Sequence, residues 1–516
     1  MSKRWRSLLI APWFIASGLT QAADTLDWLI ENGLLVDGTG APPREALVGS
    51  LKGKIVVFAA NEPKPVATRI IDAQGFIVAP GFIDLHTHAR ADLLSTQDNS
   101  VLHYLTQGVT TLVIGNDGDG TPNIEARFEA LEQNQVGVNV VQFVGHGALR
   151  RQIVGNENRL ATEPELEAME SALELSLQQG AAGLSLGLFY VPGSYAPTAE
   201  VIRLCRVAAR YGKPCEAHIR SESSRGDGVL AAIDEMITIG RESGAAIHIG
   251  HIKVLGRSVW GQSTEVIARI EAAQAEGLSI TADQYPWTAS STQLKNAILP
   301  AHWLAGARSE WRDRLLDPAN QEAVLADLAV GIERRGGGNA LMLVATDNSD
   351  YEGRRLNEVA AMMSLSEPET ALRLLQEAPP RVVSFNMDEA DIEAFMKQPW
   401  VATSSDGTDG HPRKYASFPR KYAHYVQQRK ALTLPEFVHR STLLPAQILG
   451  LSDRGRIANG AVADVIVIDP KRYRDAASYQ DWQQLTPGVE WLFIAGEPVI
   501  AKGRYNGALI GRNLLL

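Results

Sequence analysis

Two histidines near the end of an apolar segment offer the clearest chemistry in this sequence. The segment PGFIDLHTH spans residues 80–88 and places His86 and His88 two positions apart. Side chains two positions apart on a β-strand point to the same face, so both imidazoles can reach one metal ion, with Asp84 on that face behind them. A His-x-His pair alone is a weak signal, and its interpretation depends on what the rest of the chain places beside it.

Eight candidate strands alternate with helical patterns along the middle of the chain. They cover residues 81–88, 110–116, 139–146, 182–190, 214–219, 246–253, 279–285 and 400–405. Strands joined by helical crossovers predict an α/β fold with a (β/α)8 TIM-like barrel over residues 80–444. The stretch from about 300 to 391 is too long for one crossover, so we expect an insertion there, before the last barrel strand.

Short strand patterns recur at both ends of the chain. Residues 27–79 contain several of them, separated by turns, and similar patterns return at 463–468, 489–493 and 498–500. Two such segments on either side of a long middle region predict one small β-sandwich, built from residues 23–79 and 445–516.

Residue types that bind metals or catalyse reactions stand at the ends of the predicted barrel strands. In chain order they are His86, His88, Asp117, His146, Tyr190, His218, His251, Lys253, Tyr285 and Asp406. Barrels of this kind gather their catalytic residues at the C-terminal ends of the strands, and imidazole and carboxylate groups there suit a zinc-type site. Strand alternation places His251 and Lys253 on the site face of the sixth strand, and His248 on the other. Asp406 is placed to act as a general base, although an aspartate there could also cap a helix.

The composition and the first residues limit the class of protein. The net charge is −10, and without a basic stripe nucleic acid is not an expected partner. No apolar run approaches the roughly 20 residues that span a bilayer. Lys3, Arg4 and Arg6 precede an apolar run at 8–19, which is followed by small residues up to Ala22. This pattern predicts a signal peptide over residues 1–22 and export to the periplasm.

The chain contains only two cysteines, Cys205 and Cys215. The first falls on a predicted helix and the second on the strand that follows it. An exported protein can form a disulfide, but this placement leads us to expect two separate thiols. Neither cysteine is predicted to be a nucleophile.

With these residues in view, the chain resembles the amidohydrolase superfamily and, within it, the N-acyl-D-amino-acid deacylase (D-aminoacylase) family. The resemblance covers nearly the whole mature chain and implies a metal-dependent amide hydrolase with Zn²⁺, as one or two divalent ions. It rests on ordered motifs at matching barrel positions, namely PGFIDLHTH, QGVTTLVIGN, GHGALR, HIRSE, HIGHIK, DQYP, SSDG followed by HPR, and RGRIANGAVADVIVID.

The resemblance implies a role for most of the site residues. His86 and His88 match the weaker metal position of the family, whereas His218 and His251 match the tight one. Asp406, at the metal, matches the aspartate that takes a proton from the attacking water and passes it to the leaving amine. The residues that match those holding the α-carboxylate of the substrate are Tyr190, Lys253 and Tyr285. His146 matches a histidine near the site, and its role stays open.

The chain departs from the family pattern at Asp117. The family usually has a cysteine at this position, whose thiolate is a metal ligand. A carboxylate can also bind or bridge Zn²⁺, with a shift in preference toward harder ions. Many superfamily members bridge two metals with a carboxylated lysine on the fourth strand, but this chain has no lysine between Lys64 and Lys213. Asp117 is therefore the predicted bridging ligand.

These residues together predict hydrolysis of N-acyl amino acids, of the D series by the resemblance. Metal-activated water would attack the amide, and Lys253 would bind a free carboxylate beside it. Three alternatives stay open: a dipeptidase, a cyclic-amide hydrolase, and a non-catalytic metal-containing binding protein. The missing fourth-strand lysine disfavours the second, and Asp406 disfavours the third. A purine-type deaminase is disfavoured because no glutamate follows His251 on its strand.

Overall fold

The computed structural model describes residues 25–516. The predicted signal peptide, residues 1–22, lies outside the described residues. Within the described part of the chain, no helix is both long enough and apolar enough to cross a membrane.

Strands and helices alternate along most of the described chain. The strands are β1 (Trp28–Leu35), β2 (Arg44–Leu51), β3 (Lys54–Ala59), β4 (Ile70–Asp72), β5 (Ile77–Pro80), β6 (Phe82–Asp84), β7 (Val109–Ile114), β8 (Asn139–Gln142), β9 (Val144–Gly145), β10 (Leu184–Gly187), β11 (Cys215–His218), β12 (Ile247–Ile249), β13 (Ile280–Gln284), β14 (Ser290–Gln293), β15 (Leu341–Val344), β16 (Arg381–Ser384), β17 (Val401–Thr403), β18 (Val465–Ile468), β19 (Val489–Ile494), β20 (Glu497–Ala501) and β21 (Arg504–Tyr505). The α-helices are α1 (Arg90–Leu94), α2 (Leu102–Leu105), α3 (Ile124–Asn134), α4 (His146–Ile153), α5 (Glu163–Gln178), α6 (Thr198–Arg210), α7 (Gly228–Ser243), α8 (Ser263–Ala275), α9 (Leu294–Ile298), α10 (Arg308–Leu316), α11 (Gln321–Arg334), α12 (Leu356–Met363), α13 (Glu367–Gln376), α14 (Glu389–Met396), α15 (Arg413–Arg420), α16 (Leu434–Ser441) and α17 (Leu443–Leu449).

Strands from the two ends of the chain share one nine-stranded sheet. Its order is β21-β20-β19-β18-β5-β1-β2-β3, with β4 paired to β1. The Ile55 N–H donates to the Ala461 carbonyl (2.8 Å), so β3 returns to the segment before β18 and the sheet folds over itself. Apolar side chains such as Trp28, Val465 and Phe493 fill the space enclosed by this fold. The two chain ends therefore depend on each other for their core. The predicted domain boundaries themselves stay a prediction.

The middle of the chain forms the predicted parallel barrel. Six strands pair in the order β17-β13-β12-β11-β10-β9, and three pair as β6-β7-β8. β9 follows β8 directly, and the Asp406 N–H donates to the His86 carbonyl (2.9 Å) where β17 meets β6. The strands are shorter than predicted, because the parallel ladder ends at Asp84 on β6 and at Ile249 on β12. His86, His88 and His251 consequently lie on the loops just beyond their strands.

The insertion has a sheet and a core of its own. β14, β16 and β15 pair antiparallel in that order, and the sheet begins at Ser290, before the predicted start of the insertion. Helices α9 to α13 pack on it around buried residues that include Leu294, Val324 and Val382. An extra folded layer therefore stands between β13 and β17, on the side of the barrel where the predicted site residues lie.

The expectation of two separate thiols is wrong. Cys205 on α6 and Cys215 on β11 form a disulfide, with their Cα atoms 6.0 Å apart. A short turn over residues 211–214 joins the helix to the strand and brings the two side chains together across a ten-residue separation. The sequence places them on different elements but gives no rotation of the helix about its axis.

The C-terminal tail completes the barrel at the N-terminal ends of its strands. The Val140 N–H donates to the Arg512 carbonyl (2.9 Å), and the Leu514 N–H to the Val140 carbonyl (2.8 Å). The tail thereby occupies the edge of β8 that β10 does not reach. A Cβ atom on Gly511 would lie 1.9 Å from the Val138 carbonyl oxygen, so glycine is required for this approach.

Gly511→Ala should lower the thermal unfolding midpoint by several degrees. The added methyl group forces the tail away from β8, and each backbone hydrogen bond lost costs about 1 kcal/mol. Activity at room temperature should persist, because the tail lies at the opposite end of the barrel from the predicted site. Differential scanning calorimetry measures the midpoint, and an unchanged value would show that the tail does not support the barrel.

Candidate active site

The side chain of Asp117 lies at the centre of the predicted site. Its Oδ1 atom is within 3.2–3.4 Å of a ring nitrogen from each of three histidines, and Oδ2 is 3.5 Å from a fourth. The three histidines are His251 (Nε2, 3.2 Å), His86 (Nε2, 3.3 Å) and His218 (Nδ1, 3.4 Å), and the fourth is His88 (Nε2). Four imidazoles from three different strand ends thus surround one carboxylate.

Asp406 adjoins this group from the eighth strand. Its Oδ1 lies 3.1 Å from His88 Nε2 and 3.9 Å from His86 Nε2, and its Oδ2 lies 2.8 Å from Arg413 Nη1. The structure therefore brings together all six residues predicted to bind metal. Their roles stay predictions at this point.

Three of these residues adopt a backbone conformation that is uncommon outside glycine. The φ angles are +58° at Asp117, +37° at His251 and +46° at Asp406. A left-handed backbone costs roughly 1–2 kcal/mol for a residue with a Cβ atom, and such residues concentrate at functional sites. The neighbouring structure must therefore hold these three loops in place.

Buried carboxylates behind the histidines provide part of this support. Asp283 on β13 accepts hydrogen bonds from the His251 backbone N–H (2.9 Å), from His248 Nε2 (2.8 Å) and from the Ser404 hydroxyl. Glu216 on β11 lies 3.4 Å from His86 Nδ1. His248 thus has the structural role that strand alternation predicts, facing away from the cluster.

The fully buried ionisable groups at the centre shift one another's pKa values. Burial opposes ionisation of Asp117, but the charges of the neighbouring imidazoles outweigh it and hold the pKa of that carboxyl well below its usual range. Burial also acts to lower the pKa of His251, but carboxylates that include Glu222 and Asp406 raise it to about 9. The Asp117 carboxyl is therefore ionised at neutral pH, and its negative charge faces the nitrogens of the surrounding imidazoles.

The donor set fits a bound transition metal. Both ring nitrogens of His86 and Nδ1 of His218 are buried without a hydrogen-bond partner. Three groups of ligand atoms converge closely enough to hold an ion, and they are His86, His88 and Asp406; His86, Asp117 and His251; and His218, Glu222 and His251. Tetrahedral zinc with bonds of about 2.0–2.1 Å to nitrogen or oxygen requires ligand atoms about 3.3 Å apart. The separations around Asp117 agree with that requirement.

A cavity of about 290 Å³ opens directly above the cluster. Tyr190 and Lys253 line it, as the sequence predicts, and the ring of Tyr190 lies 4.7 Å from that of His218. Lys253 is not a free cation, because its Nζ donates to Glu222 Oε1 (2.6 Å).

Two other strand-end residues do not reach the cavity. In this structure the Tyr285 hydroxyl lies 3.6 Å from the Met387 sulfur and its ring lies beneath Lys253 and Arg413, so its contact with substrate stays a prediction. His146 begins α4 instead of ending a strand, and its Nε2 lies 2.8 Å from Glu200 Oε1 in the interior.

Sequence reasoning missed six charged residues that line the cavity, of which Asp119 and Arg151 pair with each other. Glu222 and Arg413 belong to the HIRSE and HPR motifs, and their chemistry was available but unassigned. Arg335 and Arg381 come from the insertion, where no local pattern indicates that they face the site.

Comparisons with known proteins agree with this geometry. Residues 69–500 match the family described as the Amidohydrolase family. The chain is similar to the N-acyl-D-glutamate deacylase of Alcaligenes xylosoxydans xylosoxydans, with 32% identity over 92% of this chain and 93% of the relative. It is also similar to the D-aminoacylase of the same organism, with 32% identity over 95% of this chain and 97% of the relative.

Among solved structures, the N-acyl-D-glutamate deacylase of Bordetella bronchiseptica superposes with a TM-score of 0.80, 31% identity and coverage of 96% of this chain and 100% of that one. That protein was crystallised with zinc and a phosphonate inhibitor that mimics the tetrahedral intermediate of the reaction. The resemblance predicted from the motifs is confirmed.

Asp117→Ala should reduce the metal bound per folded chain, because water must replace the carboxylate ligand that lies beside all four histidines. Asp117→Cys should restore metal binding with a preference for zinc, since sulfur favours softer ions. Plasma emission spectrometry of the purified protein measures the metal content. Asp119→Ala is the matched control, because that carboxylate pairs with Arg151 on the surface. If Asp117→Ala keeps the full metal content, Asp117 only accepts hydrogen bonds in its turn.

Proposed function

The chain belongs to the amidohydrolase family, and from that premise we propose that it hydrolyses the amide bond of N-acyl-D-amino acids in a metal-dependent reaction. One observation carries the proposal: four imidazoles and Asp117 converge at the base of a cavity in which Asp406 stands beside them. The similarity to a D-aminoacylase and to N-acyl-D-glutamate deacylases over nearly the full length supports the substrate class.

The residues that would hold zinc are His86, His88, Asp117, His218, His251 and Asp406. A bound divalent ion polarises an amide carbonyl and lowers the pKa of water from 15.7 toward about 7. Neutral imidazole and ionised carboxylate are the forms that bind metal, and Asp117 is held in its ionised form. The pKa values of His86 and His251 are raised by the neighbouring carboxylates, so the ion would replace the protons that these two rings otherwise retain.

Asp406 is suited to move the proton during hydrolysis. Burial acts to raise the pKa of this carboxyl, but the charge of Arg413 outweighs it and holds the pKa well below the usual range. The group is therefore a carboxylate at neutral pH and accepts a proton from the attacking water at Oδ1. It then delivers that proton to the nitrogen of the departing amine, which makes the leaving group neutral.

The cavity offers positive charge to a free α-carboxylate near the scissile bond. Arg413 and Lys253 both lie over the Tyr285 ring, at 4.5 Å and 5.5 Å from its centre. Each already has one carboxylate partner, so both are held rigidly in place. Tyr190 lines the same cavity and presents a phenol to the substrate. This arrangement favours substrates with a free carboxylate over simple amides.

The alternatives differ from this proposal in ways that can be measured. A dipeptidase would need the same positive charge for the α-carboxylate of its substrate but a larger site for the acyl group. A cyclic-amide hydrolase would not need the positive charge of Arg413 and Lys253. A binding protein would have no use for Asp406 as a proton carrier. We also propose that the protein is exported to the periplasm, on the basis of the N-terminal signal pattern alone.

A substrate screen tests the proposed function directly. The purified, zinc-loaded protein would be assayed for amine release from N-acetyl-D-amino acids, N-acetyl-L-amino acids, dipeptides and hydantoins. We expect hydrolysis of the N-acetyl-D series at rates well above those for the other classes. Faster hydrolysis of dipeptides or hydantoins, or no turnover of any class, would contradict the proposal.

Asp406→Asn should lower kcat by several orders of magnitude and leave the metal content nearly intact. The amide cannot accept the proton of the attacking water, so both base catalysis and proton delivery to the amine are lost. Steady-state kinetics and metal analysis on the same preparation test this expectation. Activity within about tenfold of the wild type would remove Asp406 from the reaction.

A further inference from the structure

Two arginines in the catalytic cavity have no acidic partner. Arg335 and Arg381 both line the cavity. Among residues 25–516, no carboxylate oxygen lies within the 4.0 Å limit of an ion pair with either guanidinium. The Nε atom of Arg381 is enclosed and has no hydrogen-bond partner, whereas Arg335 Nε donates only to the Ala297 carbonyl (3.2 Å).

Each of the other cations of the cavity has a carboxylate partner within the protein. Arg413 pairs with Asp406 at 2.8 Å, and Lys253 pairs with Glu222 at 2.6 Å. Arg151, at the rim, pairs with Asp119 at 3.3 Å. The remaining acid, Asp117, lies among the histidines. Two positive charges in the cavity are therefore left without a counter-ion, and both belong to the insertion.

An unpaired charge in a desolvated site is unfavourable. Only 7% of the Arg335 surface is exposed. Burial lowers the pKa of Arg335 to about 10, and burial together with the charge of Arg413 lowers the pKa of Arg381. Both guanidinium groups nevertheless stay protonated at neutral pH, since an arginine titrates far above 7. Proteins tolerate the unfavourable free energy of a buried, unpaired guanidinium at sites where a bound ligand supplies the negative charge.

Both arginines are mounted on fixed elements. Arg381 begins β16, the central strand of the insertion sheet, and Arg335 caps the C-terminus of α11. The α11 helix packs on the core of the insertion through Val324 and Leu328. The guanidinium groups are thus positioned independently of the barrel loops that hold the metal-binding residues.

We propose that the enzyme selects N-acyl-D-amino acids with an acidic side chain, and that Arg381, assisted by Arg335, binds the second carboxylate. This inference rests on the proposed function. The α-carboxylate of the substrate lies at Arg413 and Lys253 in the proposed function, so the negative charge for Arg381 and Arg335 must come from the side chain of the substrate. A side-chain carboxylate supplies a counter-ion to Arg381 and Arg335, whereas a neutral side chain leaves both guanidinium groups without one in the cavity. A guanidinium binds a carboxylate through two parallel hydrogen bonds, which adds geometric selectivity.

Paired substrates that differ in one charge test the inference. N-acetyl-D-glutamate and N-acetyl-D-glutamine have the same shape, and kcat/KM would be measured for both. We expect the wild type to prefer the acid by at least about tenfold, the scale of one charge-assisted hydrogen bond. Arg381→Met should lower kcat/KM for the acid by about tenfold to a hundredfold, mainly through KM, and change that for the amide less than about threefold. Arg335→Met should reduce the preference in the same direction.

Stability supplies a second measurement that does not depend on turnover. Removing an uncompensated charge should leave the unfolding midpoint of Arg381→Met unchanged or higher, whereas loss of a structural residue would lower it. D-Glutamate should raise the midpoint of the wild type and not that of the variant. Arg373→Met is the matched control, because that arginine lies on the surface of the same insertion and pairs with Glu377.

The outcomes separate this inference from the function on which it rests. Equal turnover of acid and amide by the wild type would overturn the selection of acidic side chains and leave the deacylase function standing. Equal losses for both substrates in Arg381→Met would overturn the role of Arg381. If only Lys295→Met abolishes the preference for the acid over the amide, the second carboxylate binds instead in the neighbouring cleft, which Lys295, Arg151 and Arg308 line. That result would overturn the roles of Arg381 and Arg335. Turnover of neither substrate nor any other N-acyl amino acid would refute the proposed function itself.

Discussion

Four imidazole nitrogens within 3.5 Å of one carboxylate, that of Asp117, form the contact on which the site depends. The group combines residues from the first, second, fifth and sixth barrel strands, so it forms only when the barrel closes. Closure also brings Asp406 to His88, because the Asp406 N–H bonds to the His86 carbonyl where the last strand meets the first. The metal-binding residues and the proton carrier are therefore placed by the same event.

The carboxylates beneath the histidines show how the barrel supports strained loops. Asp283 links His248, Ser404 and the backbone of His251, and so holds a residue whose φ angle is +37°. Asp84 accepts the Ser405 N–H (2.9 Å), and burial raises the pKa of its carboxyl to about 7. Substitutions that look remote from the chemistry would therefore act on it by releasing these loops.

The sequence allowed more of the barrel and its centre to be predicted than of the surroundings. Strand order and period-two alternation placed His86, His218, His251 and Asp406 at one rim, because parallel strands of a barrel all end on the same side. The orientation of Tyr285 could not be predicted, since it depends on how Arg413 and Met387 pack against its ring. Arg335 and Arg381 enter the cavity from the insertion, and no local pattern records where a separately folded layer docks. The Cys205–Cys215 pairing depended on helix rotation, which strand and helix assignment does not give.

The barrel and the insertion supply different parts of the site. Every residue proposed to bind metal comes from the barrel, whereas both unpaired arginines come from the insertion.

The central claim is that Asp117 binds the metal. Anomalous X-ray diffraction at the zinc edge from crystals of the zinc-loaded protein tests it most directly. The account predicts an anomalous peak within about 2.2 Å of an Asp117 carboxylate oxygen and of at least two of the surrounding imidazole nitrogens. A peak bonded to histidines but not to Asp117, or no peak in this cluster, would contradict it.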